Sequence, residues 1–305
     1  MRGRIIQETI RLLEDHGFMV ADCSGMRSSF DLLAKREKLL LIKILSNIEG
    51  FGRENAFELG RIAALVSGIP LLVGECMKST TLSAGTVYER YGIHVIHMRT
   101  LKGVLDGRMP AVYSIRGDYC VTINSKLLVE LRKSWSITQR ELAHRLGVSK
   151  QSIYRYEKSG KVSLDVANRL MEMLDEDMIV PQEFLISDKR CEVDRTHITE
   201  NLTHLKRAVM GGLENLGFEV LFTIAPFDIV ADEISSDKRI LALISNDTRR
   251  LGRKIEVINE VSQIIGSYRV CVSERKQDVD IPLIKPRELI DIKNSRELIE
   301  IVAEN

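Results

Sequence analysis

The apolar positions of this chain change period several times, and each change marks an element. Near the start, Ile5, Ile6, Ile10, Leu12 and Leu13 recur at near-helical spacing, which predicts an amphipathic helix stopped by Gly17. Two β-rich runs follow, Phe30–Leu33 and Leu39–Leu45, the second apolar enough for a buried strand. A second helix is expected over Arg53–Val66, ended by Gly68 with Pro70 just beyond. Strands at Leu71–Val73 and Ile93–Ile96 close the unit. Residues Tyr113–Asn124 then alternate as a small hairpin does, turning at Arg116-Gly117-Asp118, and from Ser125 to about Phe184 the pattern is helical.

Much of the first pattern returns near the end of the chain. Leu13-Glu-Asp-His-Gly-Phe18 reappears as Leu213-Glu-Asn-Leu-Gly-Phe218, and Phe30-Asp31 as Phe227-Asp228. Leu45-Ser-Asn47 matches Ile244-Ser-Asn246, Glu54–Gly68 matches Glu256–Gly266 in pattern, and Ile93–Leu101 matches Ile281–Leu289. Five matches in the same order point to a duplicated domain, each copy reading α-β-β-β-α-β, with residues of about Met77–Tyr91 extra in the first. The order predicts a mixed sheet with helices on its faces.

The insert between the copies holds the most specific pattern. Thr138-Gln-Arg-Glu141 has the spacing of a capping box and opens a short helix, Gln139–Leu146. Ala143 fits where two helices approach closely, and Gly147 fits a turn that needs positive φ. Leu142, Leu146, Val148 and Ile153 point inward, and Ser149 is a natural N-cap for a second helix, Lys150–Lys158. The run Thr138–Glu157 closely resembles the helix-turn-helix of the Cro and phage-repressor family. The resemblance covers about sixty residues and implies a first helix at Ser125–Lys133, a fourth at Leu164–Leu174 and a fifth starting at Pro181-Gln-Glu-Phe-Leu185. Trp135 is expected to pack between the first two helices, and Tyr156 in the core.

In that family the second helix of the motif lies in the major groove of DNA. The resemblance therefore implies base contacts from Lys150, Gln151, Tyr154 and Arg155, with Ser152 beside them, phosphate contacts from Gln139 and Ser149, and backbone contacts from Lys158 and Lys161. Gln bonds adenine in a bidentate way, and Lys or Arg reaches guanine O6 and N7. Charge supports this. The 305-residue chain carries a net +1, yet Ser125–Val162 holds nine basic residues against three acidic ones. A salt-sensitive affinity for double-stranded DNA is expected from that surplus.

The flanking copies resemble the PD-(D/E)XK nuclease-like fold of archaeal junction resolvases and restriction enzymes, on element order, Phe30-Asp31 and Pro226-Phe227-Asp228. Such nucleases place one Asp on a strand and an acid-x-Lys on the next, so that two carboxylates hold Mg²⁺ and Lys assists the water. Here the first triplet reads Leu41-Ile-Lys43, with the acid missing, and the matching one Ile240-Leu-Ala242, with acid and Lys both missing. Both copies are therefore expected to be inactive, with Asp31 and Asp228 capping a turn or pairing with Lys. His94 and His97, three apart on a strand, face opposite ways, and His197 and His204 lack a third ligand, so no metal site is expected. No phosphate-binding loop surrounds Ser24-Gly25, Gly50-Phe-Gly52 or Gly211-Gly212. The five cysteines are dispersed without a C-x-x-C, which suggests reduced thiols in a cytosol. Apolar runs are too short to span a membrane, and charges interrupt the N-terminal stretch where a signal-peptide core would lie, so a soluble, cytoplasmic chain is expected.

The whole therefore reads as an α/β multidomain chain in which an all-α Cro/repressor-type domain is inserted between two duplicated mixed-sheet, restriction-endonuclease-like domains. The expected divisions are 1–112 for the first copy, 113–124 for a hairpin linker, 125–190 for the helix-turn-helix domain and 191–305 for the second copy. It resembles an archaeal type of helix-turn-helix transcriptional regulator. The expectation is a non-enzymatic homodimer with no catalytic residues, cofactor or metal; the effector is unknown. The alternatives are a Mg-dependent nuclease targeted to DNA and a protein-binding adaptor.

Overall fold

The computed structural model describes residues 2–115, 117–181, 183–185, 203–245, 251–275 and 279–303. The first copy runs α1 (Arg2–Asp15), β1 (Met19–Asp22), β2 (Leu32–Lys35), β3 (Leu39–Asn47), α2 (Arg53–Leu65), β4 (Ile69–Met77), β5 (Thr80–Thr81), β6 (Thr86–Arg90), β7 (Ile93–His97) and α3 (Met98–Leu105). The insert runs β8 (Val112–Ile115), β9 (Asp118–Thr122), α4 (Ser125–Ser134), α5 (Gln139–Leu146), α6 (Lys150–Ser159), β10 (Lys161–Ser163) and α7 (Leu164–Leu174). The second copy runs α8 (His204–Asn215), β11 (Phe218–Phe222), β12 (Ile229–Glu233), β13 (Arg239–Ile244), α9 (Leu251–Ile265), β14 (Tyr268–Val272), β15 (Leu283–Ile284), α10 (Glu288–Asp291) and α11 (Ser295–Ala303). The fold is mixed α/β, as the duplicated pattern predicts.

The chain forms two compact units. One takes in the described residues of Met1–Ile44, Phe51–Pro70 and Ser187–Asn305; the other those of Leu45–Gly50 and Leu71–Ile186. In the first unit, β1, β2 and β3 form an antiparallel meander. The second copy repeats it: β11, β12 and β13 are antiparallel, and β14 and β15 then add in parallel. A parallel neighbour requires a crossover, and α9 supplies it between β13 and β14. The core of the second copy joins Val209 and Leu213 of α8 to Phe218, Ile229, Ala231, Ile240 and Ala242 of the sheet and to Leu298, Ile299 and Val302 of α11. Each aliphatic side chain buried this fully contributes about 1.5–3 kcal/mol.

Backbone bonds correct the alignment of the copies by one residue. The Asp31 amide donates to the Ile42 carbonyl, and the Asp228 amide to that of Ala242. Ile42 therefore corresponds to Ala242 and Lys43 to Leu243, so the triplet opposite Leu41–Lys43 is Leu241-Ala-Leu243, not Ile240–Ala242. Leu45 accordingly does not align with Ile244; Ile44 does. An apolar run has no marked position, so pattern alone leaves its register open.

In the second unit β4 pairs parallel with β7, β7 antiparallel with β6, β6 parallel with β8, β8 antiparallel with β9, and β9 antiparallel with β10. The residues extra to the first copy thus build β5 and β6. The hairpin expected as a linker is paired along both edges, and its Val121 and Ile123 lie in the core of the helical module. The described residues of 181–185, where a fifth helix is expected to start, are not helical. Ile179 makes a bridge with Ile123, the Val180 amide donates to the Thr122 carbonyl, and Phe184 is buried with its ring edge-on to His94, 5.7 Å between centroids. Pairing with residues 122–124 holds Met178–Val180 extended, just before that point.

Candidate nucleic-acid interface

The helical module is built as its local chemistry predicts. The Thr138 hydroxyl accepts from the Glu141 amide at 3.2 Å, and the Glu141 carboxylate accepts from the Thr138 amide at 2.7 Å, which closes the capping box on α5. Those bonds hold the Glu141 carboxyl below its ordinary range, the backbone bond contributing most. At the other end of α5, Gly147 takes φ 64°, ψ 32°, the left-handed turn that an L side chain resists. The last carbonyl of α5 does not go unsatisfied: Arg169 of α7 donates to the Leu146 carbonyl at 2.7 Å. The Ser149 hydroxyl caps α6 by accepting from the Ser152 amide at 3.0 Å. Leu142, Ala143, Leu146 and Ile153 are buried, with Val148 and Tyr156 half-buried against them.

With those side chains inward, the opposite face of α6 is free. Lys150, Gln151, Tyr154, Arg155 and Lys158 are exposed, Tyr154 at 56%. No described residue forms a hydrogen bond or ion pair with the side chains of Lys150, Gln151, Tyr154 or Lys158. Arg155 reaches the Ser152 hydroxyl at 3.3 Å, and Ser152 in turn lies 2.9 Å from the Ser149 hydroxyl, so these three form a small chain at the start of the helix.

Gln139 is committed differently. Its amide nitrogen donates to Glu157 at 2.7 Å. The guanidinium of Arg132 grips the same carboxylate and also donates to the Ile137 carbonyl at 3.0 Å. Arg132 and Glu157 are 13% and 10% exposed, so this pair ties α4, the loop before α5 and α6 into one body. Sequence reading missed it, because a charged residue on an amphipathic helix gives no sign of a partner 25 positions away. The other eight basic residues of the stretch, Lys126, Lys133, Arg140, Arg145, Lys150, Arg155, Lys158 and Lys161, are exposed, and none pairs with a described carboxylate. Trp135 does not pack between α4 and α5. It caps the end of α4 and is 50% exposed, because the core there is already filled by Leu128, Leu142 and Ile153.

Gly160 closes α6 with φ 69°, and a Cβ there would meet the Ile123 carbonyl at 2.5 Å. The Gly160 carbonyl also accepts from the Ile123 amide at 2.8 Å. The exit of α6 is therefore held hard against the end of the hairpin's second strand, and β10 then pairs with β9. The orientation of α6 is set by the sheet as well as by its partner helices.

The two nuclease-like aspartates are occupied. Asp31 is 2% exposed as a side chain; it accepts from Arg2 at 2.7 Å, from Lys43 at 3.1 Å and from the Ile44 amide at 2.8 Å. Asp228 accepts from Lys206 at 2.8 Å and from the Ile244 amide at 3.0 Å, with Lys254 at 3.9 Å. The role expected of them, pairing with Lys, is what the geometry shows. Leu13 aligns with Leu213, which puts Lys206 opposite Ile6, one turn along from Arg2, so each copy brings its own cation to an equivalent carboxylate. Beside Asp228 the buried Cys271 thiol is pushed up to about 11, chiefly by burial and then by that carboxylate. Among the described residues, no three His, Cys, Asp or Glu side chains gather as a metal site. His97 caps α3 by accepting from the Arg99 amide at 3.1 Å, and burial lowers its basicity. His197 lies outside the described residues. No helix among them is long and apolar enough to cross a membrane.

Comparison with known proteins finds family matches in two regions of the chain. Residues 2–110 match the PD-(D/E)XK superfamily domain, and residues 128–179 match the helix-turn-helix family. Over 98% of the chain and 96% of the relative, it is 33% identical to a protein of Methanocaldococcus jannaschii carrying the name "Putative HTH-type transcriptional regulatory protein". Proteins of the same name from Thermococcus kodakarensis and Pyrococcus furiosus are each 37% identical, over 99% and 96% of this chain and 95% of each relative. No solved structure matches the chain. A helix-turn-helix with its polar face free, joined to a PD-(D/E)XK domain and alike along its whole length to these archaeal proteins, makes the chain a member of the archaeal family of HTH-type transcriptional regulatory proteins.

Proposed function

We propose that this protein regulates transcription by binding specific double-stranded DNA, with α6 in the major groove. Gln151 and Lys150 read base edges, Tyr154 and Arg155 follow along the groove, Ser149 and Ser152 approach a phosphate at the helix N-terminus, and Lys158 neutralises the backbone. Gln139, already donating to Glu157, contributes through its position at the start of α5. The observation that carries this reading is the polar face of α6: exposed, cationic, and unspent within the fold. One module reads one half-site, so two heads are needed for a palindrome with half-sites about 34 Å apart, and the regulator acts as a homodimer.

The α/β copies act without catalysis. The support is the Asp31 carboxylate, whose oxygens are taken by Arg2, Lys43 and the Ile44 amide, where a nuclease would direct them at a cation. The decisive experiment is selection of bound fragments from genomic DNA followed by sequencing. A recurrent palindromic motif is expected. Recovery of fragments without a shared motif would refute sequence-specific reading, and Mg²⁺-dependent plasmid cleavage abolished by Asp31→Ala would refute the non-catalytic part. Both copies act in a cytoplasmic protein.

A further inference from the structure

Within the first unit the two copies touch through contacts that repeat in both directions. Equivalent positions follow from the backbone. Asp22 lies opposite Leu32 and Phe222 opposite Ile229, the residues following Asp31 and Asp228, so Asp22 corresponds to Phe222. Ala63 accepts from the amide five residues on, as Ser262 does, so Leu65 corresponds to Ile264.

Each of these four carbonyls receives a cation from the other copy. Lys35, ending β2, donates to the Ile264 carbonyl at 2.9 Å, and Arg239, opening β13, donates to the Leu65 carbonyl at 2.6 Å. Arg239 is the cross-strand partner of Asp232, which corresponds to Lys35, and its guanidinium bonds that carboxylate. Arg253 of α9 donates to the Asp22 carbonyl at 3.3 Å, and Arg61 of α2 donates to that of Phe222. Arg61 is 2% exposed and paired with the buried Glu58, which also accepts from the Ile224 amide at 2.8 Å. α9 packs on β1 and β2 of the first copy. The acceptor carbonyls are equivalent in pairs while the donors stand at non-equivalent positions, so the face is isologous in its acceptors and pseudo-symmetric in its donors. The cations at Leu65 and Ile264 also sit where helix C-termini carry partial negative charge.

We infer that the two copies are each other's dimer partner, paired in cis through a pseudo-twofold face, and that a second chain does not associate through it. Two modules on one chain meet intramolecularly, so dilution of the protein weakens pairing of the same face in trans and leaves pairing in cis unchanged. The surface by which two chains bring two helix-turn-helix heads to DNA is therefore a different one. This inference does not depend on DNA binding.

The test uses the intact chain. Equal amounts of ¹⁵N-labelled and unlabelled protein are unfolded, refolded together and treated with a lysine-reactive cross-linker, and linked peptides are identified by mass. Links from Lys35 to Lys254 are expected only between peptides of like label. Mixed-label links making up about half of the signal would overturn the inference, as would the absence of any link between the copies. Lys35→Glu with Arg239→Glu, placing anions at both helix ends, is expected to lower Tm while leaving the sedimenting mass unchanged. A fall in mass would show that the face joins separate chains.

Discussion

Two sets of polar side chains in this molecule have opposite fates. Around Asp31, the carboxylate, both nearby cations and a backbone amide have found one another under cover of the first copy. Along α6, Lys150, Gln151, Tyr154 and Lys158 stand in water with no described partner. Folding has consumed the chemistry of the first set and left that of the second for a ligand. The same test separates polar groups spent within the fold from groups left free wherever both are charged: whether they are already satisfied by their own fold.

The largest effect expected to sharpen this contrast is on stability. Asp31→Ala strands the Ile44 amide and leaves Arg2 and Lys43 with only their carbonyl acceptors, and is expected to cost about 3 kcal/mol in urea unfolding, as breaking a buried pair does. Asp228→Ala, at a site 14% exposed, is expected to cost about 1–2 kcal/mol. Neither should change DNA affinity; a large loss of binding with folding intact would make the carboxylates functional and erase the contrast.

On the other side of the comparison, Gln151→Ala and Lys150→Ala are each expected to lose about 1–3 kcal/mol of binding on the selected site, with unfolding unchanged. Lys158→Ala should weaken all sequences alike and reduce the salt slope by about 1. Equal losses for Gln151→Ala on every sequence, measured by titration, would remove it from base readout.

Gly160→Ala probes how firmly the sheet holds α6. Left-handed strain and the clash with the Ile123 carbonyl are expected to cost about 2–3 kcal/mol, against about 1 for Gly147→Ala, where the nearest atom to an added Cβ is the Arg169 guanidinium at 3.7 Å. Equal thermal shifts for the two would mean that the exit of α6 is not held by the strand.

The smallest effect concerns the cap. Thr138→Ala is expected to cost about 1 kcal/mol. Since the Glu141 carboxyl is held below its ordinary range, the cap contributes fully above that range and is lost as pH falls through the lowered value. Wild type and Glu141→Gln should therefore converge in Tm at low pH; a constant difference across acid pH would show the carboxylate does not carry the cap.

Local chemistry determined a good deal. The capping box, Gly147, the Ser149 cap and the inward Leu142, Leu146 and Ile153 are each specified by residues a few positions apart, so α5 and α6 follow from the sequence with bounds good to a residue. The duplication was legible for the same reason, since hydrophobic period and turn residues survive in each copy. Only the tertiary structure decided the rest. The one-residue register of β13, the hairpin woven into a sheet, the extended path of Met178–Val180, the Arg132–Glu157 clasp and the reciprocal cations between the copies all join residues apart in the chain. Such pairings depend on which strand edge or helix end arrives opposite which, and that is settled by packing of the whole unit, where no local pattern reaches.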